Sequence, residues 1–246
     1  LDWMDQVGAR ASSPMTLLRE YVLALRSLLA GSTVTTSGTY VQLRDVTLNG
    51  PPDPVPPLYV GAGRPKTMAL AGELTDGAIL AASVHPSGEG LITGGDDGRL
   101  VWSRASGPEE VAKVPGRWID AVPASRESKL IAFASGRDLH VRDAADAAFE
   151  RTFTHEKSVA DIAFDPKGRR LAAATYGGAW LWYARIADQK PAKLAWAGSH
   201  VALAWSPDGK FLISAMQENQ LHGWRVADEK NMRMGGYPAK VKSLAF

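Results

Sequence analysis

Phe164, Trp205 and Phe246 recur at one even interval of about 40 residues, and that period limits what most of this 246-residue chain can fold into. Independent markers keep the same interval. The turns Val84-His85-Pro86-Ser87-Gly88, Phe164-Asp165-Pro166-Lys167-Gly168 and Trp205-Ser206-Pro207-Asp208-Gly209 place their prolines two periods and then one period apart. A degenerate copy, Ala124-Ser125-Arg126-Glu127-Ser128, fills the midpoint of the longer gap. Trp102, Trp182 and Trp224 repeat the same two-then-one spacing, with Arg142-Asp143 where a further Trp would fall. Within one unit Ser158–Phe164 alternates, Pro166-Lys167-Gly168 turns, Leu171–Thr175 is small and apolar, Gly177-Gly178 turns, and Ala179–Tyr183 closes. Short strands at this period predict blades of four antiparallel strands. One such sheet cannot cover both of its faces, so it must stack on its neighbours.

The order aromatic–Ser/Asp–Pro–x–Gly, then Leu-x-Ser/Thr, an acidic turn and Trp resembles the WD40 repeat family over about residues 77–246. The resemblance implies a mainly β fold: a partial propeller of about four blades plus one strand, where the family commonly closes with seven. It also implies rigid loops offered to a protein or peptide partner, and no cofactor for 77–246. The Asp–His–Ser/Thr–Trp network typical of such blades is complete in no unit. Thr93, Asp97 and Trp102 lack an upstream histidine. His155 and Trp182 face Tyr176-Gly177 where the turn aspartate belongs, and Ser214, Glu218 and Trp224 carry Glu instead.

The repeat starts abruptly at Thr75-Asp76-Gly77-Ala78-Ile79-Leu80. All five histidines, seven of the eight tryptophans and ten of the eleven lysines follow Asp76. Before it the sequence predicts an α/β piece, 1–76. Ser13-Pro14 starts a helix whose apolar face is Leu18, Val22, Leu25 and Leu29, closed by Gly31. Thr33–Leu43 alternates about Ser37-Gly38 as a hairpin. Pro51, Pro52, Pro54, Pro56 and Pro57 then force an extended connection. Leu58-Tyr59-Val60, Gly61-Ala62-Gly63-Arg64-Pro65-Lys66 and a helix from Thr67 to Leu74 follow. A buried strand, a glycine turn and a helix N-terminus can point free amides at a phosphate, which makes Gly61, Ala62 and Gly63 the cofactor-binding candidates. The same residues also read as a tight turn whose glycines serve backbone geometry only.

Ser13-Pro14-Met15-Thr16-Leu17-Leu18-Arg19-Glu20-Tyr21, Leu25 to Gly31, Tyr40-Val41, Tyr59-Val60-Gly61-Ala62, Pro65-Lys66 and Leu70-Ala71-Gly72-Glu73 resemble the luciferase-like monooxygenase family, in its F420-dependent oxidoreductase branch. The resemblance implies a (β/α)8 barrel holding a flavin or deazaflavin at its strand ends, with Tyr59–Gly63 a late strand and its phosphate loop. Arg64 departs from the family, where a small residue often precedes Pro-Lys. A barrel needs roughly 250 residues, so only its late portion falls in 1–76, with no histidine. FMN or F420 is expected only if that barrel were complete, and no catalytic residue is assigned. The start on Leu1 rather than Met suggests a fragment or a processed chain.

Composition narrows the function further. Lys plus Arg against Asp plus Glu is 6 to 7 up to Asp76 and 22 to 19 afterwards, too even for a nucleic-acid stripe. There is no cysteine for thiolate metal sites or disulfides. No apolar run approaches a membrane span and no signal peptide is evident, so the expectation is a cytoplasmic protein without membrane or nucleic-acid partners. Gly95-Asp96-Asp97-Gly98 reads as a hairpin turn rather than a calcium loop, and the histidines are too scattered to share a metal, with His155 bracing its own blade. Arg117, Trp118, Trp196, Arg233 and Tyr237 are the interaction candidates, since aromatic and Arg residues form interfaces; internal packing is the alternative for each. Three readings stand: an interaction scaffold, a fragment of a flavin- or F420-dependent oxidoreductase, and a chimeric chain joined at Asp76–Leu80, where one strand serves both contexts.

Overall fold

The computed structural model describes residues 11–62, 65–241, 244 and 246. The chain divides into two compact units, Leu1–Ile79 and Leu80–Phe246.

In the first unit Ser13 caps helix α1 (Pro14–Leu29), its hydroxyl accepting from the Thr16 amide at 3.4 Å, and Gly31 follows the helix with φ +78°. Strands β1 (Val34–Ser37) and β2 (Gln42–Val46) form a hairpin. Its turn runs from Gly38 to Val41, later than the expected centre at Ser37-Gly38, because Glu20 of α1 gathers it. That carboxylate accepts the amides of Thr39, Tyr40 and Val41 at 2.9, 2.7 and 2.9 Å, which holds its pKa below the usual carboxylate range. A Cβ on Gly38 would meet the Glu20 carboxylate, which would have to shift to admit it. Of the face expected, Val22 is buried and Leu18 and Leu29 are half-buried, but Leu25 is not covered. Val22 and Ala24 are covered while Leu25 is exposed, because α1 leans on β1 and on α2 (Pro65–Leu74), with Arg19 paired to Glu73 at 2.7 Å.

Strand β3 (Tyr59–Gly61) pairs in parallel with the start of β4 (Gly77–Val84) through Tyr59↔Gly77 and Gly61↔Ile79. Parallel strands need a crossover, and α2 supplies it. Asp76 pins the joint: its carboxylate accepts from the Leu58 amide at 2.8 Å and from Arg26 at 3.1 Å.

The second unit is a succession of antiparallel groups. β4, β5 (Leu91–Gly95), β6 (Arg99–Arg104) and β7 (Gly107–Lys113) form the first. β8 (Ala124–Ser125), β9 (Leu130–Ser135), β10 (Asp138–Asp143) and β11 (Glu150–Thr154) form the second. β12 (Asp161–Phe164) and β13 (Arg170–Tyr183) open the third. β13 doubles back at Tyr176–Gly178, where Gly177 and Gly178 take φ +88° and +136°. The Ala184 amide then reaches Arg169 O at 2.9 Å, just as Ala144 reaches Lys129 O and Val226 reaches Lys210 O at the ends of the neighbouring hairpins. β14 (Ala192–Trp205) finishes the third group with its first half and begins the fourth with its second, continued by β15 (Phe211–Met216), β16 (Leu221–Arg225) and β17 (Asn231–Met234).

The repeated turns stack. In each Pro-x-Gly turn the glycine amide closes a 2.8 Å bond to the carbonyl three residues back, with positive φ at Gly88, Gly168 and Gly209. A Cβ on Gly168 would strike Ser125 and Ser128 at 2.2 and 2.4 Å, and Gly209 lies against Pro166. The cores alternate in the same register. Ile131 and Phe133 of β9 join Ile92 and Leu100 of the first group, while Leu130 and Ala132, on the other face, join Leu171 and Trp182 of the third. Ala172 and Ala174 of β13 then pack against Leu203, Leu212 and Trp224 of the fourth. Alternate residues of one strand thus fill two successive cores, as a strand buried on both faces requires.

Candidate functional site

Each group carries an aromatic–histidine contact, and no two are built alike. In the third, the Trp182 indole N–H donates to His155 Nε2 at 3.0 Å, and His155 Nδ1 lies 3.2 Å from Arg137 O. The indole can only donate and the carbonyl only accept, so the ring is neutral with its proton on Nδ1. Phe153 stacks on Trp182 at 4.4 Å. This is the internal brace expected of His155.

The fourth group inverts the pair. Trp196 stands one period after His155, and His222 one period after Trp180. Where His155 meets Trp180 edge-on at 6.2 Å, Trp196 stacks flat on His222 at 4.0 Å. With Trp in the histidine's place, the Trp224 N–H finds no hydrogen-bond partner among the described residues. His200 supplies a separate brace, its Nδ1 2.7 Å from Ser214 Oγ and its Nε2 3.1 Å from Trp196 O. Burial lowers the pKa of His155 and His200, and burial with the neighbouring His200 pushes His222 down to about 4. All three rings are neutral near pH 7.

In the first group Trp102 turns its N–H to Glu89 O at 2.6 Å while His85 stacks on its ring at 3.8 Å. Gly98 takes φ +71° and Asp97 accepts from the Arg99 amide at 3.0 Å, which makes Asp96–Gly98 the hairpin turn between β5 and β6. Among the described residues no three histidine or acidic side chains are grouped to hold a metal, and no helix is long and apolar enough to cross a membrane.

The interaction candidates lie in different settings. Trp118 is exposed, in the loop ahead of β8, and its neighbour Arg117 pairs with Asp138 at 2.7 Å. Trp196 is half-buried on His222. Arg233 lies in the outermost strand β17 and Tyr237 beyond it, both exposed. The structure brings none of these four regions together in one described pocket.

One half-buried acid has no motif to announce it. Asp161, at the start of β12, accepts from the Leu203 amide at 2.7 Å and from its neighbour Ile162 at 2.9 Å, tying the third group to the fourth. Burial raises its pKa to about 6, and the Asp120 carboxylate adds to the rise. In the sequence it shows only as Asp161-Ile162 standing where the next unit has Ala202-Leu203.

In the first unit, Gly61 ends β3 and Ala62 is buried, its amide donating to Ile79 O at 3.0 Å; Gly63 lies outside the described residues. A Cβ on Gly61 would meet no atom of the described residues within 4 Å. α2 begins directly beyond, with Lys66 exposed in its first turn.

With a strand–loop–helix crossover on one side and stacked antiparallel groups on the other, the chain has likenesses of two kinds. The sequence model of the luciferase-like monooxygenase family matches residues 2–201, and the chain belongs to that family. The model of the WD domain, G-beta repeat, matches residues 195–225, which run from the residue before Trp196 to the end of β16. A 5,10-methylenetetrahydromethanopterin reductase of Methanolobus tindarius is 37% identical over 82 residues, 33% of this chain and 24% of that protein. An F420-dependent glucose-6-phosphate dehydrogenase of Microbacterium testaceum is 35% identical over 83 residues, 33% of this chain and 25% of its own. The chain therefore spans about a quarter of the length of the curated relatives it matches. Among solved structures, the β-propeller domain of Myceliophteria thermophila Cps50 (Swd1) superposes with a TM-score of 0.59 at 14% identity, over 66% of this chain and 56% of that one. That likeness establishes a β-propeller fold.

Proposed function

We propose that residues 77–246 are a non-catalytic, WD40-like interaction scaffold of about four blades plus the first strand of a fifth, taking a protein or peptide partner on its loops. Residues 1–76 are then a fragment of a luciferase-like (β/α)8 barrel fused ahead of it. The observation that carries this reading is where the polar aromatic chemistry is used. His155 and His200 are neutral, buried and committed to internal braces, while Trp118 stands exposed beside an Arg117 held by Asp138. The immobilised 246-residue chain tests it. A partner retained at micromolar concentration and lost at least about tenfold on Trp118→Ala supports the reading; no retained partner, or one indifferent to Trp118, removes it.

The curated relatives favour a second reading, cofactor binding by the first unit. The described residues suit the phosphate end of a flavin or F420: the side of Gly61 is open, and a helix starts just beyond it. They offer no set of strand ends to face a ring. Titration of F420 and of FMN with the full chain, followed by cofactor fluorescence, decides it. Quenching that saturates supports the reading, and an unchanged spectrum ends it for this chain.

A further inference from the structure

We propose that a cavity between the third and fourth groups is a seat for one aromatic ring, and that its occupant is the phenylalanine side chain of a peptide partner. The source of the ring rests on the scaffold reading above; the seat itself does not.

The preceding junction shows what such a place holds. Between the second and third groups Phe149, half-buried, packs against the core that contains Leu130, Val141, Phe153 and Ala184. The guanidinium groups of Arg151 and Arg185 lie over its ring at 4.7 and 5.0 Å. Strand register carries each of these positions forward by one period. Val141 pairs with Arg151 and Leu139 with Phe153, as Leu181 pairs with Ala192 and Ala179 with Leu194. Ile131 stands across from Ala124 as Leu171 does from Phe164, so Arg170 follows Leu130. The Ala184 and Val226 amides close the same bond at the ends of their hairpins. Lys190, two residues ahead of Ala192, stands where Phe149 stood.

The successors Arg170, Leu181, Lys190, Leu194 and Val226 all line one cavity of about 210 Å³. The junction has kept its walls and lost its ring. A cavity of about 150 Å³ admits benzene, so this one holds a single substituted ring. Leu181 and Leu194 give it buried apolar walls. Arg170 is fixed at its edge, with Nε 3.1 Å from Asp165 and Nη2 3.1 Å from Gly209 O, and a fixed cation attracts the face of a ring. Ala192 replaces the Arg151 that covers Phe149, which leaves that side open. Arg170 and Lys190 against Glu229 leave the lining mixed in charge, so the ring rather than a net charge selects the ligand.

Methyl NMR of the 246-residue chain, with acetyl-Gly-Phe-Gly-amide and separately with benzyl alcohol, is the test. The Leu181, Leu194 and Val226 methyls should shift and saturate at about millimolar peptide, while Ile92 and Leu100 in the first group's core stay unmoved. Acetyl-Gly-Leu-Gly-amide should bind at least about threefold more weakly; equal binding would overturn the preference for a ring. Lys190→Phe restores the residue of the preceding junction and should fill the seat from within. Peptide affinity then falls at least about tenfold and the thermal midpoint rises. Ala192→Leu narrows the seat from the neighbouring strand and should weaken binding in the same direction. No saturating shift with either probe, or shifts indifferent to both variants, would overturn the seat. Benzyl alcohol binding as tightly as the peptide would overturn the peptide source. The probes need no natural partner, so a null result here leaves the Trp118 test standing, and a failure at Trp118 leaves the seat standing.

Discussion

The two units solve the same problem, covering apolar surface, by different means. In residues 80–246 the inner strands β9 and β13 fill a core on each face, and Phe133, Leu139 and Leu171 are completely covered. In residues 11–79 helix α1 buries only Val22 and Ala24, leaves Tyr21, Leu23 and Leu25 exposed, and is held by polar ties: Arg19 to Glu73, Arg26 to Asp76, Glu20 to three turn amides. Repetition explains the contrast. A stacked unit supplies its neighbour with a surface of the right shape at every period, whereas a single helix and hairpin must find their partners once.

The largest effect that would break this contrast is in the cores. Phe133→Ala should cost about 3–5 kcal/mol in urea unfolding of the second unit, while Leu25→Ala in α1 should stay within about 0.5 kcal/mol. Equal costs would mean that the units are not packed differently. Next come the braces. Trp182→Phe keeps the ring but leaves His155 Nε2 buried without its donor, and should cost about 1–3 kcal/mol; Trp224→Phe removes an N–H that has no partner among the described residues and should cost less than half as much. Comparing the two denaturation midpoints checks it.

Asp161 sharpens the comparison through pH. Its pKa is raised from 3.8 to about 6 by burial, so the folded protein holds this proton more tightly than the unfolded chain does. The stabilisation from that proton is complete below about pH 4 and is lost as pH rises through 6, a difference of about 3 kcal/mol. Asp161→Asn keeps an oxygen for the Leu203 amide without the charge. It should stabilise the second unit at pH 8, with the gain vanishing near pH 4; a gain independent of pH would refute the assignment. The smallest effect is in the first unit. Glu20→Gln should loosen the β1–β2 turn, seen as faster exchange of the Thr39, Tyr40 and Val41 amides with little change in the unfolding midpoint.

Much of the second unit was legible because its signals are local and repeated. A Pro-x-Gly turn needs positive φ at the glycine wherever it stands, and the repeat pattern sets a histidine upstream of the Trp in the unit that holds His155 and Trp182. The His155–Trp182 bond could be expected on those grounds. The exchange of histidine and tryptophan between His155/Trp180 and Trp196/His222 was present in the sequence as two pairs one period apart. Only the stacked rings show that the two positions touch. Asp161 was not legible at all, since its partner is an amide in another group.

By itself, the sequence determined the period, the turn geometry, the cap of α1 and the change of composition after Asp76, because each depends on residues adjacent in the chain. Tertiary structure alone decided that Leu25 of α1 stays exposed, that Trp196 stacks on His222, and which histidines are neutral. Those outcomes depend on what stands across a core from each residue, and a strand or helix does not carry that information in its own periodicity.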